Sequence, residues 1–394
     1  MATQAPSNLS DSKLGGQNPS LVVTRDHGLK MEEAPVHEPG VGEVLVHVQA
    51  TGICGSDLHF WKHGAIGNLT VEGDCILGHE GAGVVLKKGP GVEHLEIGDR
   101  VAIEPGVPCG RCFLCTDGRP NLCEEVQFSG VYPCHGTVQR YKVHPAKFAH
   151  KLPDSLSFAM GALLEPLSVA LHALRTTPVR IGYPVAVFGA GPIGLLTMAA
   201  ARASGAHPVV ITDINEERLS FARTFEPNCL TYKIDPKASP EESGNQIRNL
   251  FEREGWKIGS PRTEYDMPQL VLECTGIESS IATAAYTVRR GGSINVVGVS
   301  SKPSINNIPF MHLSLAEIQL RFINRYHDTW PAAIKAVEGR LIDPGKLESL
   351  VTHEFRLENA IEAMEFAANT HKQSESQIVV KIHIIDPALS DSHQ

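Results

Sequence analysis

Across roughly residues 21–143 hydrophobic and polar positions alternate in short runs such as Glu43-Val44-Leu45-Val46-His47-Val48, and Gly or Pro ends each run before a helical period develops. Period-two alternation of this kind predicts half-buried strands, so this part reads as an all-β, barrel-like unit. After Pro153 the texture changes. Phe158–Leu174 has helical spacing, and from Pro184 short apolar runs alternate with helical stretches, the βαβ pattern of a parallel sheet. The predicted strands there are Val185–Phe188, Val209–Thr212, Leu270–Glu273 and Ser293–Val297, and Lys237–Glu254 reads as a charged surface helix. Towards the C-terminus, Gln377–Ile382 has strand character, while Ile334–Glu338 and Glu358–Ala368 have helical spacing.

The uncharged run Tyr183–Ala201 approaches the length of a membrane span. Its glycines divide it into a buried strand, a turn at Gly189–Gly194 and a helix over Leu195–Ala203, so it reads as two elements of a globular domain. Residues 1–20 are polar, without the apolar core of a signal peptide, and read as a tail.

With 394 residues and 42% hydrophobic content the chain can build two or three domains. A net charge of -9 without a basic stripe argues against nucleic acid or a membrane surface as partner and points to a small-molecule substrate. Nine cysteines, an odd number, with no secretory signal, suit a reducing compartment, and the cytosol is the expected location.

Four of the cysteines fall in one short loop. The C-x2-C-x2-C-x7-C spacing of Cys109, Cys112, Cys115 and Cys123 puts four thiolates within reach of one zinc ion, a closed structural tetrahedron. Gly110, Asp117, Gly118 and Pro120 mark the loop as exposed, where core thiols would not gather. Cys75, Cys134, Cys229 and Cys274 have no ligand spacing and read as packing residues.

Gly189-Ala190-Gly191-Pro192-Ile193-Gly194 matches G-x-G-x-x-G between a predicted strand and a predicted helix, the context in which glycines let the backbone approach a dinucleotide pyrophosphate. Asp213 ends the next strand, 19 residues past Gly194, where a carboxylate can bind the adenosine ribose hydroxyls. A unit charge about 4 Å from a 2′-phosphate costs about 4 kcal/mol at an effective dielectric of 20, which favours NAD over NADP. Arg218 is either an adenosine contact or a solvated helix charge.

Cys54 in Cys54-Gly55-Ser56-Asp57 and His79 in Gly78-His79-Glu80 each offer a zinc ligand on a loop; Glu80 and Glu165 are the candidates for a third. Glu165 opens an apolar helical stretch, an unusual place for a carboxylate unless it is paired or coordinated. With a nicotinamide site nearby, these residues describe an open zinc at which an alcohol loses its proton and gives hydride to the cofactor. Ser56 is placed to relay the proton, with His59 as a further carrier.

These motifs, with Ala102-Ile103-Glu104-Pro105-Gly106, Leu164-Glu165-Pro166-Leu167-Ser168, Arg325-Tyr326 and Thr329-Trp330-Pro331, resemble the zinc-containing medium-chain dehydrogenases, and within them the polyol branch of sorbitol, xylitol and L-arabinitol dehydrogenases. The resemblance covers about residues 21–385. It implies a GroES-like β-barrel catalytic domain over residues 21–167 and 323–386, a Rossmann doubly wound NAD-binding domain over 168–322, a tail over 387–394, and a homotetramer. It implies a catalytic zinc held by Cys54, His79 and one or both of Glu80 and Glu165, besides the structural zinc. By the same resemblance Phe60, Glu165, Arg325 and Tyr326 line the substrate pocket, and Val297, Gly298, Val299, Asn324 and Arg325 meet the cofactor. Animal sorbitol enzymes carry a tyrosine and a phenylalanine where this chain has Phe60 and Asn324, and lack the four-cysteine site. A five-carbon polyol is therefore the expected substrate, xylitol or sorbitol oxidation the enzymatic alternative, and a catalytically silent nucleotide-binding relative the non-enzymatic one.

Overall fold

The computed structural model describes residues 17–251, 264–300, 302–369 and 378–387. Two sheets organise them. The spine of the first is the strand Glu43–Gly52, which pairs antiparallel with Glu80–Lys88, Tyr141–Pro145 and Lys381–Ile385. Beyond Glu80–Lys88 lie Arg100–Ile103 and Ala149–Lys151, and beyond Lys381–Ile385 lies Val351–Arg356. The alternation read in the sequence decides what each face buries: Val44, Val46 and Val48 pack with Val85, Val101 and Ile103 in one core. A second core gathers Leu21, Ile53, Leu77 and Val138 with Ile382, Ile384 and Met364, joining both ends of the chain.

The second sheet is six-stranded and parallel, in the order Leu230–Lys233, Val209–Asp213, Val185–Phe188, Leu270–Glu273, Ser293–Val296, Gln319–Phe322. Its central strands are buried along their whole length because helices cover both faces. Val185 and Val187 face one core and Ala186 and Phe188 the other. The strand order reverses beside Val185–Phe188, so the crevice at its carboxyl end is where such a sheet takes a ligand.

Several boundaries differ from the sequence reading. The first strand begins at Pro19, inside the expected tail, whose residues 1–16 lie outside the described ones. The helical stretch Phe158–Leu174 is two helices, Phe158–Ala162 and Leu164–Thr176, joined at Leu163. The surface helix is Pro240–Asn249; Ser239 and Glu242 form a capping box at its start, which excludes Lys237 and Ala238, and residues 252–254 lie outside the described ones. The C-terminal strand is Lys381–Ile385, later than Gln377–Ile382; Gln377 is outside the described residues, as are residues 388–394 of the expected tail. Among the described residues no helix is long and apolar enough to cross a membrane.

Candidate active site

The strand Glu43–Gly52 ends in the loop carrying Cys54, and its neighbour begins with Glu80, so the ladder itself sets these residues side by side: Gly52 lies opposite Glu80. Cys54 caps the helix Gly55–His63, and Asp57 in its first turn accepts the Cys54 backbone N–H at 2.9 Å. The same carboxylate accepts the Gly78 N–H at 3.2 Å and lies 3.5 Å from His79 Nδ1. One buried side chain thus ties the Cys54 loop to the His79 turn and orients the imidazole. Gly78 has φ +93°, and a Cβ there would strike Val138 and Thr137, so only glycine makes this turn.

A sulfur of Cys54, a ring nitrogen of His79 and a carboxylate oxygen of Glu80 lie within 4.8 Å of one another. Thiolate, imidazole and carboxylate are the donors a zinc ion takes, and their convergence here, with His79 and Glu80 buried, fits the ion. Glu165, buried at the start of Leu164–Thr176, stands outside this set of three. Burial pushes its carboxyl up to about 7; His79 lowers it and Glu80 raises it, which places Glu165 in the same field. For Asp57 burial is outweighed by the charge of His79 and by the two backbone N–H groups, and the carboxyl is held below its usual value. Ser56 Oγ is 3.4 Å from His79 Nε2, at the site as expected. His59 instead packs on His63 with ring centroids 5.5 Å apart, and among the described residues no hydrogen bond joins it to Ser56.

Lys381 was not legible as a site residue. Its Nζ donates to Glu80 Oε1 at 2.6 Å from a strand 301 residues away. Asp57 carried no signal beyond its place in the Cys54 loop, where an acid three residues after a helix cap is an ordinary capping choice.

The four clustered cysteines also converge, with one sulfur from each within 4.8 Å of the others. Backbone N–H groups of Arg111 and Cys112 aim at Cys109 and bring its thiol down to about 7, while desolvation and the neighbouring thiols push Cys115 up to about 12.

The glycine turn lies at the carboxyl end of Val185–Phe188. Gly194 packs against the Gly189 carbonyl so closely that any side chain would overlap it, and the helix Pro192–Ala203 begins there. A cleft of about 420 Å³ is lined by Gly189, Gly191, Asp213, Ile214 and Arg218 among others. Asp213 accepts the Ala190 N–H at 2.8 Å and the Asn215 N–H at 2.9 Å, which fixes the turn, and Arg218 lies 4.0 Å away. Val297 and Gly298 follow the strand Ser293–Val296 and both donate to Glu273 O, while Val299 is exposed.

Arg325 stacks on Phe128 at 3.8 Å, and Phe128 in turn contacts the His79 ring at 5.7 Å. Arg325 and Tyr326 line a cavity of about 240 Å³ with Glu104 and Trp330, and Tyr326 is buried edge-on to the Trp330 ring. Phe60 packs in the core with Leu21, Ile53 and Leu77, and Asn324 is exposed, its carbonyl accepting from Asn121 at 2.9 Å.

Comparison with known proteins agrees with this architecture. The alcohol dehydrogenase GroES-like domain matches residues 40–154, and the zinc-binding dehydrogenase domain matches residues 192–339. The chain is 48% identical over 328 residues to an L-arabinitol 4-dehydrogenase of Aureobasidium melanogenum, covering 83% of this chain and 84% of that one. It is 41% identical to a sorbitol dehydrogenase of Gallus gallus, over 89% and 93% of the two chains. Among solved structures it superposes, with a TM-score of 0.81 and 30% identity, on an oxidoreductase/dehydrogenase of unknown specificity from Escherichia coli, covering 94% and 99% of the chains.

Proposed function

The chain belongs to the zinc-binding alcohol dehydrogenases with a GroES-like domain, and on that footing we propose that it is a cytosolic, homotetrameric polyol dehydrogenase that oxidises L-arabinitol at C4 to L-xylulose with NAD. The observation that carries the chemistry is the Cys54, His79 and Glu80 donor set within 4.8 Å. The substrate is taken from the similarity to L-arabinitol 4-dehydrogenases.

Cys54, His79 and Glu80 would hold a zinc, whose Lewis acidity would ease proton loss from the substrate hydroxyl, and Cys109, Cys112, Cys115 and Cys123 would hold a second, structural zinc. Ser56 Oγ receives the hydroxyl proton and passes it outward. Glu165, with a carboxyl up at about 7, holds hydroxyls of the polyol as acceptor or donor. Arg325 and Tyr326, which line the same cavity, bind the far hydroxyls. The overall change is two electrons and one proton from C4 to the nicotinamide, with the second proton released to solvent.

Gly189, Gly191, Pro192, Ile193 and Gly194 receive the pyrophosphate at the helix N-terminus, and Asp213 sets the preference for NAD. Replacing Asp213 by Ser and Ile214 by Arg moves the NAD/NADP ratio of kcat/KM toward NADP; an unchanged ratio refutes this role of Asp213.

Initial rates of NADH formation with L-arabinitol, xylitol and D-sorbitol test the substrate. Highest kcat/KM for L-arabinitol is expected; a preference for D-sorbitol, as the similarity to sorbitol dehydrogenase would allow, keeps the chemistry and reassigns the substrate. No turnover in zinc-replete protein overturns the enzymatic reading. Light scattering of the eluting protein tests the tetramer.

A further inference from the structure

Lys381 and Glu80 form an ion pair at the rear of the donor set, with Nζ 2.5 Å from Oε2 and side chains 4% and 1% exposed. A pair so completely buried contributes little net stability, because two charges leave water to make it. Its geometry is instead specific to the site. Nζ hydrogen-bonds Oε1 at 2.6 Å and also lies 2.5 Å from Oε2, so the ammonium spans both oxygens of the carboxylate. Gly52, opposite Glu80 in the ladder, leaves the space for this arrangement: a Cβ there would overlap Glu80 Oε2 and come within 2.9 Å of Lys381 Cε. The gap in one strand and the ammonium from another therefore close on the same carboxylate.

We infer that Lys381, with Gly52 as its cradle, is a positioning residue that grips the Glu80 carboxylate through both oxygens and fixes the orientation in which it stands beside Cys54 and His79. The inference rests on the zinc-dehydrogenase reading above and deepens it. Charge gives the arrangement a second consequence. The Cys54 thiolate and the Glu80 carboxylate together cancel a divalent ion, and the Lys381 ammonium returns one positive charge to the cluster. That charge lies close enough to favour the anion that the substrate oxygen becomes, and it does so without touching substrate.

A structural role and this role predict opposite behaviour of the metal. Removing a cation from beside a dication removes a repulsion, so Lys381→Met should hold the catalytic zinc at least as firmly as the wild type while kcat falls about 10–100-fold. The KM for the polyol should move little. In cobalt-substituted enzyme the visible absorption should change, because Glu80 loses the contact that fixes its orientation. Gly52→Ala, which keeps the ammonium but displaces the carboxylate, should alter the cobalt spectrum and lower kcat as well; it carries the test should Lys381→Met fail to fold.

The measurements are zinc content, the rate of zinc transfer to a chelator, the cobalt spectrum, kcat and KM. Wild-type kcat and an unchanged spectrum in either variant would overturn the inference. So would faster zinc loss with activity restored by excess zinc, the signature of a merely structural residue. A wild-type protein that bound no zinc at Cys54 would instead sink the zinc-dehydrogenase reading itself, which the wild-type zinc content shows separately.

Discussion

Lys142 is a charged residue that the fold takes almost wholly out of water. It is 7% exposed, and its Nζ donates to the His135 carbonyl at 2.7 Å. Burial pushes its pKa down to about 8, against the smaller opposing effects of Cys134 and Cys75. Below about pH 8 the amine is charged in both folded and unfolded chains, and folding bears the full desolvation cost. Between about 8 and the ordinary 10.5 the folded chain releases its proton first, the unfolded chain binds more protons, and stability rises with pH. Lys142→Met removes that dependence, so denaturant midpoints should show the variant losing ground to wild type as pH goes from 8 to 10.5. A difference that stays flat across that window would refute the assignment. Charges of this kind also mark where sequence reading stopped. Cys54 and His79 were legible as candidate ligands because few residue types bind zinc and their loops were marked by glycines, while the third ligand stayed open between Glu80 and Glu165. Asp57 and Lys381, which hold those residues in place, were not. Their work is done by burial and by a partner, and a contact across 301 residues leaves no local pattern.

At the scale of elements, legibility followed how much of an element is decided locally. The strands Val185–Phe188 and Leu270–Glu273 were bounded correctly, since a run of four apolar residues in one and three before Glu273 in the other, flanked by turn signals, leaves little freedom. The last strand was placed too early because Ile378, Val379 and Val380 continue the same apolar run and nothing within it marks where pairing begins. The four-cysteine loop was the most legible element and has the least structure of its own. It contains a four-residue helix, Phe113–Thr116, and a single 3-10 turn, Pro120–Leu122, with Phe113 72% exposed. With so little apolar burial, the proposed structural zinc would supply much of the folding free energy of the loop. Cys112→Ser should therefore lower the zinc content by one ion per chain and bring down the thermal midpoint, with the zinc at Cys54 retained. Mass spectrometry of bound metal and a melting curve would decide it; unchanged zinc content would remove the structural-site assignment.

The whole molecule depends on a chain end that sequence patterning could not assign to either half. Only the family resemblance sent it back to the first domain, and the pairing explains why it returns: Lys381–Ile385 lies between Glu43–Gly52 and Val351–Arg356, hydrogen-bonding both. Asp386 then pins the strand, accepting from Arg140 Nε at 2.8 Å and standing 2.9 Å from His47 Nε2. These few residues complete the catalytic sheet, fill its core with Ile382 and Ile384, and deliver the counter-charge of Glu80. A chain ending at Asn369 would leave the Ala50–Gly52 edge without its partner strand and Glu80 buried without its counter-charge; the broken ion pair alone costs about 3–5 kcal/mol. That is a large part of the about 5–15 kcal/mol by which a domain is stable. Such a chain should yield little soluble protein and no dehydrogenase activity. A chain ending at Pro387 keeps the strand and the Asp386 contacts, and should match wild type in thermal midpoint and kcat. Equal behaviour of the two truncations, in solubility and activity, would mean that the returning strand does not close the catalytic domain.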